Sequence, residues 1–286
     1  MSFPDAERIW TRVTIATPAV AADAVAAILG GFCANGVEVD DRGDPVRVSG
    51  YLSPIVPGNG PEDAVAMVRT ALGAITDELL PTPLQISAEA VPERDWVEAF
   101  RAHCRPMREG RIVVKPTWEP WPSPDLPRLP DDLVITLDPG MAFGSGDHAT
   151  TRACLNALQM LLVPGQRVLD YGCGSGILSI AARLLGAAEV FALDSDPVAI
   201  EVARANLELN GISDGVRVTQ ADTLAGLTSG WDVVLANISA PIVCRECANA
   251  PALLRPGGHF VCAGIPDGRE AEVELAITDA GFDLIE

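Results

Sequence analysis

The sequence predicts an α/β protein in two parts: a doubly wound, mostly parallel sheet, preceded by a small α+β domain of ferredoxin-like type. Three observations carry this. The stretch RVLDYGCGSG, Arg167 to Gly176, reads as the end of a buried strand and a glycine-rich turn, and ILSIAARLLG follows with helical spacing of apolar residues. Strand, glycine turn and helix in that order open the nucleotide-binding half of such a sheet. Polar residues end four successive strand-like runs: Asp170, Asp194, Asp222 and Asn237. Residues 1–91 run β-α-β-β-α-β, the split arrangement of ferredoxin-like domains.

Within residues 1–91, WTRVTIAT at 10–17 alternates like a strand, and the alanine-rich 18–33 places Val20, Ala24, Ala27 and Ile28 at helical spacing. GVEVD and VRVSGYL read as two short strands, and Pro61-Glu62-Asp63 starts a helix over 61–75, with proline and acids where a first turn favours them. LQISAEAV, 84–91, is a fourth strand. PERDWVEAFRAHCR, 92–105, reads as a short connecting helix, and the prolines at 120, 122, 124, 127 and 130 demand an extended surface loop. The sequence thus divides into 1–91, a connection over 92–132, and the doubly wound domain over 133–286.

From Leu133 signals crowd together. LDPGMAFGSGDHATT holds a second glycine-rich loop, Phe143 to Gly146, followed by Asp147, His148, Thr150 and Thr151. The helix starting near Thr150 leads into the central strand, so this loop sits beside the Asp170 turn. Thr150 or Thr151 could simply cap that helix, but Phe143 and the glycines give the loop a lid-like character. Gly172, Gly174 and Gly176 let a ligand approach the backbone and the free N–H groups of a helix start. Asp194 ends EVFALD, where an acid takes ribose hydroxyls in nucleoside-binding and dinucleotide-binding proteins alike. A helix follows, opened by Pro197 and stopped at Gly211. VRVTQAD ends a third strand at Asp222, suited to an adenine amino group, and WDVVLAN delivers Asn237. Ligands of open α/β sheets bind outside the carboxyl ends of the strands, so these four residues share one rim. LRPGGHFVCAGI is the fifth strand and FDLIE the start of a sixth.

Composition narrows the function. Lysine plus arginine number 20 against 39 acids, a formal charge of −19, which repels bare nucleic acid and attracts basic partners. No apolar run reaches the ~18 residues of a membrane helix, and the charged N-terminus lacks the apolar core of a signal peptide. A cytoplasmic protein is expected, with no membrane association. Seven cysteines without framework spacing read as reduced structural thiols. The Cys244-x-x-Cys247 pair lacks two further ligands in register, and histidine stands only at 103, 148 and 259, so no metal site is expected.

With those residues in hand, the chain resembles class I S-adenosylmethionine-dependent methyltransferases, and within them the bacterial ribosomal protein L-eleven methyltransferase family. The segments DWVEAF, RIVVKPTW, LDPGMAFGSGDHATT, DYGCGSG, DSDP and ANI carry the resemblance, which runs over nearly the whole chain. It implies a Rossmann-like methyltransferase domain behind a ferredoxin-like domain that recognises substrate. It implies S-adenosyl-L-methionine as cofactor, and methyl transfer to the N-terminal α-amine and lysine side chains of a basic protein, ribosomal protein L-eleven. The family's cofactor contacts fall on Thr151, Gly172, Asp194 and Asn237. Asn237 would orient the amine. His148 is a candidate proton acceptor and equally a candidate anchor for its loop. Ser145 stands for the family's threonine, Asp147 and Ala149 differ around His148, and the family's last strand is expected beyond Glu286.

Other readings stay open on the residues alone. One is a related methyltransferase acting on another protein's lysine or a small molecule. Enzymes of glutamine and nucleobase amines carry Asn-Pro-Pro-aromatic, whereas Asn237 precedes Ile238-Ser239-Ala240. A nicotinamide-dependent oxidoreductase and an inactive binding protein are the further alternatives.

Overall fold

The structure, a computed structural model, describes residues 9–33, 37–40, 43, 45–52, 61–73, 85–92, 104–138, 148–266 and 268–285. The chain divides into two compact units, Met1–His103 and Cys104–Glu286. The helix expected from 92–105 falls largely outside the described residues, as do Phe143 and the FGSG loop.

The first unit has the elements β1 (Ile9–Thr17), α1 (Ala22–Gly30), β2 (Val37–Asp40), β3 (Val46–Leu52), α2 (Pro61–Leu72) and β4 (Gln85–Pro92). Its sheet has the order β2-β3-β1-β4 with antiparallel neighbours throughout, the ferredoxin-like pattern. Alternation decides the faces. Val13, Ile15 and Val48 point into a core completed by Val25 and Leu29 of α1 and by Ala64, Val68 and Leu72 of α2, spaced four apart so that they share one stripe. The opposite face is polar: Thr14 meets Ser49 at 2.9 Å and Arg12 pairs with Glu89 at 3.4 Å.

The second unit begins with β5 (Met107–Glu109), β6 (Ile112–Pro116) and β7 (Leu133–Leu137), a three-stranded sheet of order β5-β6-β7. Residues 107–116, assigned by sequence to the connection, therefore form strands. Ile112 and Val114 belong to the same core as Leu155, Leu158 and Val168, and their burial draws the segment into the larger unit. The proline-dense loop between β6 and β7, expected to be extended, is instead folded into turns, with Ser123 and Leu126 exchanging backbone hydrogen bonds at 3.2 Å. It is held by Arg108, which pairs with Asp132 and donates to the Pro127 carbonyl at 2.7 Å.

There follow α3 (Ala149–Leu161), β8 (Arg167–Tyr171), α4 (Ile177–Leu184), β9 (Glu189–Asp194), α5 (Pro197–Leu209), β10 (Val216–Gln220), β11 (Trp231–Asn237), α6 (Ala240–Glu246), α7 (Ala250–Leu253), β12 (Leu254–Ala263) and α8 (Glu270–Asp279). The main sheet is parallel, in the order β10-β9-β8-β11-β12. Its central strands are covered on both faces, as parallel sheets require. Val168, Val190, Val233 and Leu235 enter one core, while Leu169, Phe191, Leu193 and Val234 enter the other.

Two expectations shift. The third strand stops at Gln220 and not at Asp222, because the Asp222 carbonyl leaves the ladder to accept hydrogen bonds from Tyr171 and Arg245. FDLIE forms no strand among its described residues. Phe282 instead packs on Phe260 with ring centroids 5.4 Å apart, and Leu284 and Ile285 are exposed. Among the described residues the sheet ends at the fifth strand, β12.

Helix α5 and its C-cap carry Asn206 and Asn210, two asparagines that the strand pattern did not reveal. Asn210 accepts from the Thr136 N–H at 2.8 Å and donates to the Thr136 carbonyl at 2.7 Å, standing in for a neighbouring strand at the open edge of β7. Asn210→Ala is expected to cost about 1–3 kcal/mol, since both Thr136 groups lose their partner. The exposed neighbour Leu209→Ala should stay within about 0.5 kcal/mol. Urea unfolding midpoints of the two variants check this.

Candidate functional site

The carboxyl ends of β8, β9 and β11 and the turn after β10 form one rim. Asp170 pairs in register with Ala192 of β9 and Leu235 of β11, which sets it at the centre of the sheet. Its carboxyl is fully buried, and Oδ2 accepts from the Ser179 hydroxyl at 2.6 Å. Oδ1 is buried with no partner in the protein. Burial pushes this carboxyl up to about 6, the Asp194 charge pushes the same way, and the Ser179 hydrogen bond opposes both.

The glycine turn begins immediately after Tyr171. Gly172 has φ +77°, and a Cβ there would lie 2.2 Å from Ile238 Cγ2, so only glycine fits on both counts. The N–H groups of Gly172 and Cys173 donate to the Leu193 carbonyl at 2.8 and 2.9 Å. Gly174 N–H donates to Asp194 Oδ2 at 2.9 Å, and Asp196 N–H donates to Asp194 Oδ1 at 3.0 Å. Asp194 therefore sits half-buried with both oxygens already oriented, each retaining acceptor capacity. Gly176 is the N-cap of α4. Asp222 lies two residues past β10, with its side chain exposed on the rim.

Asn237 and Thr151 meet, although 86 residues apart: Asn237 Nδ2 donates to Thr151 Oγ1 at 3.3 Å, and Thr151 is buried in the first turn of α3. This leaves Asn237 Oδ1 buried with no partner in the protein. His148, and neither threonine, is the N-cap of α3: its Nδ1 lies 3.4 Å from the Thr150 N–H and 2.7 Å from Thr150 Oγ1. Cys173, inside the turn, is a buried thiol pushed far up by burial beside Asp170 and Asp194, so it stays protonated. Among the described residues no cluster of His, Cys, Asp and Glu could hold a metal ion, and no helix is long and apolar enough to cross a membrane.

Sequence reasoning missed Ser179, Asn206, Tyr171 and Glu246. Ser179 was visible as the one hydroxyl on the buried side of ILSIAARL, and Asn206 as an amide between the core residues Ala203 and Leu207. Tyr171 and Glu246 left no such trace.

Comparison with known proteins decides the lineage. The family described as "Ribosomal protein L11 methyltransferase (PrmA)" matches residues 9–286. The chain belongs to this family. It is 36% identical over 299 residues to the ribosomal protein L11 methyltransferase of Bacillus velezensis, covering 97% of this chain and 95% of the relative. It is 37% identical over 295 residues to the protein of the same name from Geobacillus thermodenitrificans, covering 96% and 93%. A crystal structure of a ribosomal protein L11 methylase from Lactobacillus delbrueckii subsp. bulgaricus superposes with a TM-score of 0.58 at 30% identity, covering 63% of this chain and 90% of that one. The doubly wound unit is thus a Rossmann-like class I methyltransferase domain.

The residues fit the cofactor that this family implies. Two buried acceptors, Asp170 Oδ1 and Asn237 Oδ1, lack partners, and an unpaired buried acceptor is costly unless a ligand or water completes it. The side-chain-free Gly172 lies between them in sequence.

The ligand-free protein should titrate Asp170 near pH 6. The folded carboxyl keeps its proton up to about 6 while the unfolded one releases it near 3.8. This group therefore adds stability as pH falls from about 6 toward 4, and that contribution is lost as pH rises through 6. Ser179→Ala removes a donor to the charged form and should move the titration higher. Carboxyl-carbon NMR of labelled aspartate reads both.

Proposed function

We propose that this protein moves methyl groups from S-adenosylmethionine to amines of ribosomal protein L11, the N-terminal α-amine and lysine side chains. The observation that carries the proposal is the unpartnered, buried Asn237 Oδ1, held by Thr151 at the end of β11. It is an acceptor open to a donor from outside the chain, the role an amine N–H of the substrate takes in this reading.

Each rim residue takes a role from its surroundings. Asp194, already oriented by two backbone N–H groups, accepts from the ribose hydroxyls. Asp222 accepts from the adenine amino group. Asp170 Oδ1 would accept from the cationic methionine end, and Gly172, Gly174 and Gly176 would let the ligand lie against the backbone; Phe143 is proposed as a further contact. The bound cofactor supplies an electrophilic methyl group on a sulfonium. Asn237 Oδ1 then accepts an amine N–H and turns the nitrogen lone pair into line, and alignment of this kind is worth up to ~7–11 kcal/mol. A free lysine has a pKa of about 10.4, and desolvation lowers it, so that the neutral amine becomes accessible. His148 Nδ1 is engaged at the cap of α3, which favours anchoring over proton acceptance.

The ferredoxin-like domain, 1–91, is assigned the recognition of the substrate, with 92–132 as connection and 133–286 as the methyltransferase domain. The formal charge of −19 favours encounter with a basic ribosomal protein over nucleic acid. A cytoplasmic location suits such a substrate.

Asp194→Ala should weaken S-adenosylmethionine binding by about 2–3 kcal/mol, the range for hydrogen bonds to a charged group. Calorimetry showing unchanged affinity would remove Asp194 from the site. Incubating L11 with enzyme and cofactor should add whole methyl increments in intact-mass spectra. Asn237→Ala should slow that addition about a hundredfold, the scale of a misplaced reacting group. An unmodified L11 mass with the wild-type protein overturns the proposed reaction.

A further inference from the structure

We infer that Glu246 is a positioning residue for the nucleoside end of the cofactor site, fixing the turn that carries Asp222 through its own carboxylate and through Arg245 and Tyr171. The inference rests on the S-adenosylmethionine reading above.

Strand β10 ends at Gln220, and beyond the Ala221 N–H, which still donates to the Asp194 carbonyl at 2.9 Å, no ladder holds residues 222–225. A different set of bonds does. Glu246 Oε2 accepts from the Leu224 N–H at 2.9 Å, from Thr223 Oγ1 at 2.9 Å and from Asn249 Nδ2 at 3.1 Å. Its other oxygen accepts from Arg245 Nε at 2.8 Å. Arg245 Nη2 donates to the Asp222 carbonyl at 2.8 Å, and the Tyr171 hydroxyl donates to that carbonyl at 2.7 Å. Thr223 Oγ1 in turn accepts from the Ala225 N–H at 3.1 Å. The backbone of the turn is thereby held from two directions, while the Asp222 side chain is left exposed.

Glu246 is 3% exposed. Burial alone would push its carboxyl up, but the four donors outweigh burial and hold it below the usual carboxylate range. A buried charge survives only with such partners, and here two of the four are on the turn itself. Tyr171 is the residue that enters the glycine turn at Gly172. Its hydroxyl therefore ties the position of Asp222 to the start of that turn, and the two walls of a nucleoside site keep one separation.

The test uses the full chain. In Glu246→Gln, the Kd for S-adenosylhomocysteine and the KM for S-adenosylmethionine should rise about tenfold. At saturating cofactor, kcat and the KM for L11 should stay within about twofold. The nucleoside fragment 5′-methylthioadenosine should lose affinity by the same factor. Tyr171→Phe deletes one hydroxyl and keeps the ring in the core, so it should shift the same two parameters about threefold. It decides the matter if Glu246→Gln does not fold by circular dichroism. Unchanged cofactor affinity in the folded variants, a loss of kcat without a change in cofactor KM, or an unaffected nucleoside fragment would each overturn the positioning role alone. A wild-type protein that binds no S-adenosylhomocysteine defeats the cofactor reading and this inference with it.

Discussion

The side chain of Asn206 is the tie on which the geometry of the site depends. It is buried in α5, donates from Nδ2 to the Ser175 carbonyl at 2.9 Å and accepts at Oδ1 from the Asp138 N–H at 2.9 Å. Ser175 lies inside the glycine turn, and Asp138 is the last described residue before the stretch that holds Phe143. One amide thus fixes the Gly172–Gly176 turn and the point from which the chain leaves toward Phe143. Neither backbone group has a strand ladder to fall back on, and a buried backbone group without a partner costs as much as a lost hydrogen bond. Asn210, one helical turn later, seats β7 by the same means.

Charge and burial are separated along the rim. Asp170 sits at its buried centre, where the neutral acid persists to about pH 6. Asp194 and Asp222 lie further out, half-buried and exposed. The rim therefore grades from a carboxyl whose charge is costly to one fully supported by water. A ligand with a cationic end and a neutral, hydroxyl-bearing end matches that gradient when its cation lies over the centre.

Much of this was legible in the sequence because parallel strands covered on both faces read as apolar runs, and a polar residue ending each run stands out. Asp170, Asp194 and Asn237 were found in this way, and the ferredoxin-like order followed from period-two alternation in WTRVTIAT, helical spacing in residues 18–33 and the proline-and-acid start of the helix from Pro61. The strands at 107–109 and 112–116 were not legible as sheet, since runs of three and five residues carry too little alternation to separate them from a connection. Asp222 was placed at a strand end because nothing local shows that Tyr171 and Arg245 divert its carbonyl. The meeting of Thr151 with Asn237 is a tertiary contact, visible beforehand only through resemblance.

Ile238, the residue after Asn237, is clasped between two glycines. Its Cγ2 occupies the space a side chain at Gly172 would need, and a Cβ on Gly264 would lie 2.6 Å from its carbonyl oxygen. Positions 172, 238 and 264 are therefore one composite choice distributed over three strand ends. Both glycines have positive φ, and the contact at Gly264 is with the backbone of Ile238, so no new side chain at 238 relieves either; positions 172 and 264 should stay glycine across relatives while 238 is limited in size. The residue beside Asn237 thus meets one glycine with its side chain and the other with its backbone, closing the chain around the end of β11.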